Sequence, residues 1–407
     1  MNLLVVYRGL PWPIQEGNHL RILHIFQRLA ARHQVHLLSL VDNATRKEDL
    51  PALQASGIFT SITLLPFPPR RGLGRLATNV GVEPIAALKV EYPGFSRRIY
   101  ERVGELTEEL GLDAGYVFGT WADALYTESA TRLPTVLDVC DSRALYFRRR
   151  AEAPETGAVQ RLRARQLTKR FEGLERHLLE VYPLATVVSP HDRDYLLDLV
   201  PGARVELIPN GVDLEAFVPP QEDLEKSGNL ILFGNMDFEP NVDAAVHFAR
   251  EIFPAVRASH PEATFTIAGV RPAAEVLALA AEVPGVEVTG SVDEMAPWIT
   301  RSSMLVAPMR FGAGIKNKVL EAMAMERPVV ASSMGVEAMH PEVAALVRVA
   351  DEPAAFAAAV CALLDDRGLR RELGRKGRNA MARLHSWETT AARYEALFAE
   401  LALLPAG

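Results

Sequence analysis

Short apolar runs alternate along the chain with longer stretches in which apolar side chains recur every three to four positions. The runs at residues 3–7, 35–40, 62–65, 114–118, 135–139, 185–188 and 205–208 predict strands. Residues 19–32 predict the first helix, because Leu20, Leu23, Ile25, Phe26 and Leu29 fall on one stripe. Strands separated by helical segments specify parallel sheets with crossover helices, so this first series makes one doubly wound sheet. A second series follows at residues 230–233, 264–268, 286–289, 304–307, 329–331 and 345–347, with helices predicted at 242–257 and 316–324. It makes a second α/β sheet of similar size.

Between the two series lies Pro209-Asn210-Gly211-Val212-Asp213, then a polar, proline-containing stretch at 218–228 that reads as a connection between domains. The expected fold is α/β with two facing Rossmann-like domains. Ligands of open α/β sheets bind beyond the carboxyl ends of the strands, so a cleft between the domains is the expected site.

Composition narrows the function classes. A length of 407 residues favours two domains. With 44 Lys+Arg against 51 Asp+Glu the formal charge is -7, which argues against a dedicated nucleic-acid binder. Cys140 and Cys361 have neither metal-ligand spacing nor a disulfide framework and are expected to be buried apolar residues. The N-terminal run lacks a basic segment before it and a small-residue cleavage site after it, and residues 343–364 are interrupted by Arg348, Asp351, Glu352 and Pro353. A cytoplasmic protein is expected. Residues 143–180 gather Arg148, Arg149, Arg150, Arg161, Arg163, Arg165, Lys169 and Arg170 in a helical context. They are either a solvated helical face or a surface for an anionic acceptor or for peripheral attachment to the inner face of a membrane.

The richest chemistry lies at residues 307–324, where a strand ends, a glycine-bearing loop follows and a helix begins. Gly312 and Gly314 let backbone N–H groups approach an anion, and a helix N-terminus adds about half a positive charge. Arg310, Lys316 and Lys318 add full charges. Glu321, one turn into the helix, either complements the helix dipole or accepts hydrogen bonds from vicinal hydroxyls of a ribose. The segment is neither a dinucleotide fingerprint nor a Walker loop. In the first domain, Asp141 in Leu137-Asp138-Val139-Cys140-Asp141-Ser142 follows a strand and is a candidate for sugar contact, or else it or Ser142 caps a helix. His191 is a second candidate, although Ser189 and Asp192 can equally begin a helix there. His19 and His24 are expected on a helix surface. No metal is expected: Asp192-Arg193-Asp194 precedes a helix rather than closing a strand, and basic side chains with a helix dipole can neutralise a diphosphate.

The run Lys318-Val319-Leu320-Glu321-Ala322-Met323-Ala324 with Arg327-Pro328-Val329-Val330-Ala331-Ser332 resembles the nucleotide-sugar signature of retaining glycosyltransferases of the GT-B fold, family 4. Ile208-Pro209-Asn210-Gly211-Val212-Asp213 with Phe217 is similar to that family's interdomain junction. Phe233-Gly234-Asn235-Met236 resembles its first C-domain strand, Gly290-Ser291-Val292-Asp293 its nucleotide-base loop, and His385-Ser386-Trp387-Glu388 the start of its C-terminal helix. The resemblance implies a GT-B enzyme that moves a sugar from a nucleoside-diphosphate sugar to a glycan, lipid-linked or small-molecule acceptor, with retention and without a cofactor. It implies an acceptor domain at 1–210 completed by 386–407, with the last helix crossing back, and a donor domain at 211–385. Glu321 would hold the donor ribose, the backbone at Gly314 and Ile315 would face the diphosphate or the sugar, and Ser291 and Val292 would face the base. Gly17 stands where the family has its N-terminal glycine loop.

Three departures bear on the donor site. The first of two family glutamates is Ala313 here, and the Arg and Lys that grip the diphosphate fall on Asn235 and Asn241. The missing charge is expected from Arg310, Lys316 or Lys318. A histidine of many relatives falls on Cys140. Two rivals share the fold: a nucleotide-sugar 2-epimerase, and a non-catalytic nucleotide-sugar binding protein suggested by Ala313 and the two asparagines. A dinucleotide-dependent enzyme is disfavoured by Arg8-Gly9-Leu10-Pro11-Trp12-Pro13 after the first strand.

Overall fold

A computed structural model describes residues 1–13, 17–68, 84–119, 122–153, 156–220, 222 and 224–403. The chain forms two compact units, Met1–Pro209 with Trp387–Gly407, and Asn210–Ser386.

The first unit is built on a seven-stranded sheet of order β3-β2-β1-β4-β5-β6-β7. Its strands are β1 (Asn2–Arg8), β2 (Gln34–Val41), β3 (Ser61–Pro66), β4 (Ala114–Phe118), β5 (Thr135–Cys140), β6 (Leu184–Val187) and β7 (Val205–Leu207), and every pairing is parallel. Because strand side chains alternate between faces, β1 feeds two cores. Leu4 and Val6 join the cluster with Val117, Leu137 and Phe171, while Leu3, Val5 and Tyr7 join the one with Phe26, Tyr116 and Trp387.

The second unit carries a six-stranded parallel sheet of order β10-β9-β8-β11-β12-β13. Its strands are β8 (Asn229–Phe233), β9 (Thr264–Ala268), β10 (Val286–Gly290), β11 (Met304–Ala307), β12 (Val329–Ala331) and β13 (Arg348–Val349). Leu230 and Leu232 pack on one face, Ile231 and Phe233 on the other. In each sheet the order reverses beside the first strand, between β1 and β4 and between β8 and β11. Loops leaving the carboxyl ends of those strand pairs part there and leave a crevice.

Some elements differ from expectation. The strand expected at 345–347 is β13 at Arg348–Val349, because His340 caps a short helix at Pro341–Ala344 and the apolar run is spent on that helix and the turn after it. The helix expected at 242–257 runs from Glu239 to Ser259 through a π-helical turn at Phe248–Ile252. Cys140 and Cys361 are half-buried free thiols rather than core residues.

The helix Trp387–Leu401 packs on Gly17–Leu29 and completes the first unit. Trp387 stacks on His24 at 5.0 Å between ring centres. His24 is therefore buried, not on the helix surface as expected: the returning helix covers its side. Beneath this contact Arg21, fully buried, donates to Asp138 Oδ2 (2.7 Å), to the Ile208 carbonyl (3.1 Å) and to the Tyr394 hydroxyl (2.6 Å). Tyr116 and Tyr394 also donate to Asp138 Oδ2, at 2.6 and 2.9 Å. The network joins β4, β5, the first helix and the last. Among the described residues no helix is long and apolar enough to cross a membrane.

Candidate functional site

In the second unit the switch point brings together the loops after β8 and β11. The chain leaves β8 through Gly234, whose φ of +143° suits glycine, and turns into the helix Glu239–His247. A side chain at Gly234 would lie 3.0 Å from Asn241 Nδ2 and 3.6 Å from Lys318 Cε, so glycine leaves room for the lysine stem. Asn241 donates through Nδ2 to the Asn235 carbonyl (2.9 Å) and accepts through Oδ1 from Lys318 Nζ (2.5 Å). Lys318 thus reaches from the helix Asn317–Ala324 to the loop after β8.

The remaining cations behave differently. Arg310 is bound in two-pronged fashion by Asp243, at 2.9 and 2.5 Å, so its charge is already neutralised. Lys316, which caps the helix Asn317–Ala324, is buried and donates to the carbonyls of Ala313 (3.0 Å) and Gly314 (2.9 Å), bracing the glycine loop. Ile315 is half-buried beside it. Gly312 has a φ of +142° and Gly314 of +66°. Of the three cations weighed for the missing charge, Lys318 alone has, among the described residues, neither a carboxylate ion pair nor backbone carbonyls on its ammonium.

Glu321 lies one turn further along the same helix face as Lys318. The residue is half-buried, and among the described residues no group donates a hydrogen bond to its carboxyl. Desolvation raises its pKa to about 7, with Lys318 opposing. Desolvation lowers the pKa of Lys318 to about 7, with Lys316 adding to the shift and Glu321 opposing it. An under-bonded carboxyl and a desolvated ammonium, neighbours at a helix start, have the chemistry to meet a ligand bearing both hydroxyls and an anionic group. Asn235 is half-buried at the rim, and Ser291 (exposed) and Val292 (half-buried) follow β10, two strands from β8.

The first unit has its own recess at the carboxyl ends of β4 and β5, a cavity of about 80 Å3 lined by residues that include Asn18, Asp123, Cys140, Asp141, Arg143 and Glu175. Cys140 carries a φ of +63°, which costs energy for a residue with a side chain and turns the chain out of β5. Ser142 then caps the helix Arg143–Glu152 by accepting from Leu145 N (3.1 Å), which leaves Asp141 outside the cap, in the cavity wall. Behind the wall, Glu175 accepts from Ser142 Oγ (2.8 Å) and Ala144 N (3.2 Å), while Asp192 accepts from Ser142 N (2.8 Å) and Ser189 Oγ. Desolvation, with Asp192 nearby, raises the Glu175 pKa to about 7 despite those hydrogen bonds.

His191 is elsewhere. It stands exposed on the first turn of the helix Pro190–Leu199, capped by Ser189, and is not among the described residues lining the cavity. Gly17 begins the helix Gly17–Leu29; its neighbours Gln15 and Glu16 in the expected glycine loop lie outside the described residues. Asn18, Asp123, Arg143 and Glu175 were not singled out from sequence. Asp138, a lone carboxylate inside the apolar run of β5, was the available sign of buried polar structure there. Among the described residues no group of three or more His, Cys, Asp or Glu side chains could hold a metal ion.

Residues 227–366 match the family described as Glycosyl transferases group 1. No curated protein sequence matches the chain. Among solved structures, a sucrose-phosphate synthase from Thermosynechococcus elongatus aligns with a TM-score of 0.72 at 18% identity, covering 98% of each chain. Anabaena HepE, in complex with UDP and glucose, aligns at 0.67 and 15% identity over 98% of this chain and 100% of that one. Staphylococcus aureus TarM, in complex with UDP and other ligands, aligns at 0.68 and 10% over 98% and 99%. Residues 227–366 are a group 1 glycosyl transferase domain, and the chain that carries them is a glycosyltransferase with the GT-B fold.

Proposed function

We propose that the chain transfers a glycosyl group, with retention, from a nucleoside-diphosphate sugar held by the second unit to a hydroxyl of an acceptor held by the first. The observation that carries this reading is the pairing of Lys318 with Glu321 at the β8–β11 switch point, one group suited to a diphosphate and the other to a ribose. Lys318 takes the place of the basic pair that relatives carry at the positions of Asn235 and Asn241, with Asn241 steering its ammonium. HepE and TarM, solved with UDP, support a nucleoside diphosphate as the common part of the donor.

In the reaction the bond between the anomeric carbon and the diphosphate oxygen breaks, and the acceptor oxygen bonds to the same face of that carbon. The departing diphosphate oxygen takes the acceptor's proton, so no side chain need serve as base. Lys318 and the helix start at Asn317 stabilise the charge that develops on the leaving diphosphate. Asp141, with Asp123 and Asn18 beside it, offers acceptors and a donor for acceptor hydroxyls. Cytoplasmic location with attachment to the inner face of a membrane belongs to the same reading, supported by the basic helical segment at 143–180.

The test is incubation with a panel of nucleoside-diphosphate sugars and hydroxyl acceptors, with the product anomer assigned by NMR. Retained configuration is expected; an inverted product contradicts the mechanism. Interconversion of the donor alone indicates epimerisation instead.

A further inference from the structure

The surface cations of this chain fall into two groups. Many face a carboxylate: Arg28 with Glu388, Arg32 with Glu395, Lys89 with Glu128, Arg204 with Glu400, Arg250 with Glu282 and Lys376 with Glu372. The first half of the helix Ala158–Val181 breaks that pattern. Residues 156–170 hold Arg161, Arg163, Arg165, Lys169 and Arg170 and not one acidic side chain. Among the described residues Arg161, Arg163, Arg165 and Lys169 have no carboxylate partner.

The same stretch exposes large apolar side chains. Val159 is 83% exposed and Leu162 60%, one turn apart. At 100° per residue, Ala164, Phe171, Leu174 and Leu178 form the buried stripe, and Leu162, Arg165, Gln166 and Lys169 lie opposite it with Val159 at the edge. Apolar side chains and unpaired cations therefore share the outward face. Water rewards neither grouping. A surface that takes methyl groups into its interior and meets cations with anionic headgroups rewards both.

We propose that the outward face of residues 159–169 docks the protein on an anionic lipid surface, with Val159 and Leu162 entering the headgroup boundary and Arg165 and Lys169 lying against the headgroups. This rests on the proposed membrane location and narrows it from a basic segment to four side chains.

The test is sedimentation of the full chain with phosphatidylcholine vesicles containing about one third phosphatidylglycerol, against vesicles of phosphatidylcholine alone, with melting curves to confirm folding. No sugar donor is present, so transfer activity is judged separately. The wild type is expected to pellet with the anionic vesicles only, and less as salt rises. Each cation contributes about fivefold to partitioning near an anionic surface, so R165Q/K169Q should lose about 25-fold. L162S should weaken binding while keeping its preference for anionic vesicles. Vesicle binding unchanged in both variants overturns the assignment of this face while leaving membrane attachment standing. Failure of the wild type to bind overturns both. Retention on an anionic polysaccharide that is insensitive to L162S, without vesicle binding, identifies an anionic polymer as the partner and also overturns the proposal.

Discussion

Each unit places a cation and a carboxylate near the carboxyl edge of its sheet, and the two pairs are opposites. In the first, Arg21 and Asp138 are fully buried, 2.7 Å apart, and surrounded by the hydroxyls of Tyr116 and Tyr394 and the Ile208 carbonyl. In the second, among the described residues, Lys318 has one side-chain hydrogen bond and Glu321 none, and desolvation pulls their pKa values towards each other at about 7. A closed network holds structure, here the return of the last helix onto the first unit. An open one keeps its capacity for a ligand. Charge type and sequence spacing do not separate them; hydrogen-bond completion does.

The largest effect that would break the contrast is on stability. Asp138→Asn leaves Arg21 buried without a counter-charge, and the loss should be about 3–5 kcal/mol, read as a lowered denaturation midpoint. A loss under about 1 kcal/mol would mean that the network is not the clasp described. Next comes ligand discrimination. Glu321→Gln should weaken a ribonucleoside diphosphate by tenfold or more, about the value of charge-assisted hydrogen bonds, and barely affect the 2′,3′-dideoxy analogue. Equal losses for both would remove Glu321 from the ribose.

The pH dependence sharpens the same point. Lys318 carries its charge below about pH 7 and Glu321 below that value loses its own, so diphosphate affinity should peak near neutrality and fall on both sides. Lys318→Arg should abolish the alkaline limb, because a guanidinium does not deprotonate there. A flat profile in the wild type would show that neither group governs binding.

A further effect concerns Glu175. Its pKa is raised from 4.5 to about 7, so the folded chain holds a proton that the unfolded chain releases between those values. Stability is accordingly highest below about pH 4.5 for this group and falls as pH rises to about 7, by a few kcal/mol at most. Glu175→Gln should remove that slope, so the melting temperature of the wild type should fall relative to the variant between about pH 5 and pH 8. Parallel curves would contradict it.

Much of this was legible before any coordinates. Parallel strands announce themselves as apolar runs, and the loop at 310–318 with Glu321 stands in a short continuous segment where a glycine turn and a helix start are read directly. Lys318 was legible only as one of three cations; Asp243, the partner that withdraws Arg310, is 67 residues away and gives no local sign. The cavity in the first unit was hidden for the same reason, since Asn18, Asp123, Asp141 and Glu175 come from four separate elements. His24 was misread because an amphipathic pattern shows which face is apolar, not which further face a distant helix will cover.

The central claim is that Lys318 supplies the charge for a diphosphate. Calorimetric titration of wild type and Lys318→Ala with UDP, GDP, ADP and dTDP tests it most directly. The variant should bind the preferred diphosphate about 100-fold more weakly, the value of one or two charge-assisted hydrogen bonds, with its melting temperature nearly unchanged. Equal affinity in the two proteins would contradict the account.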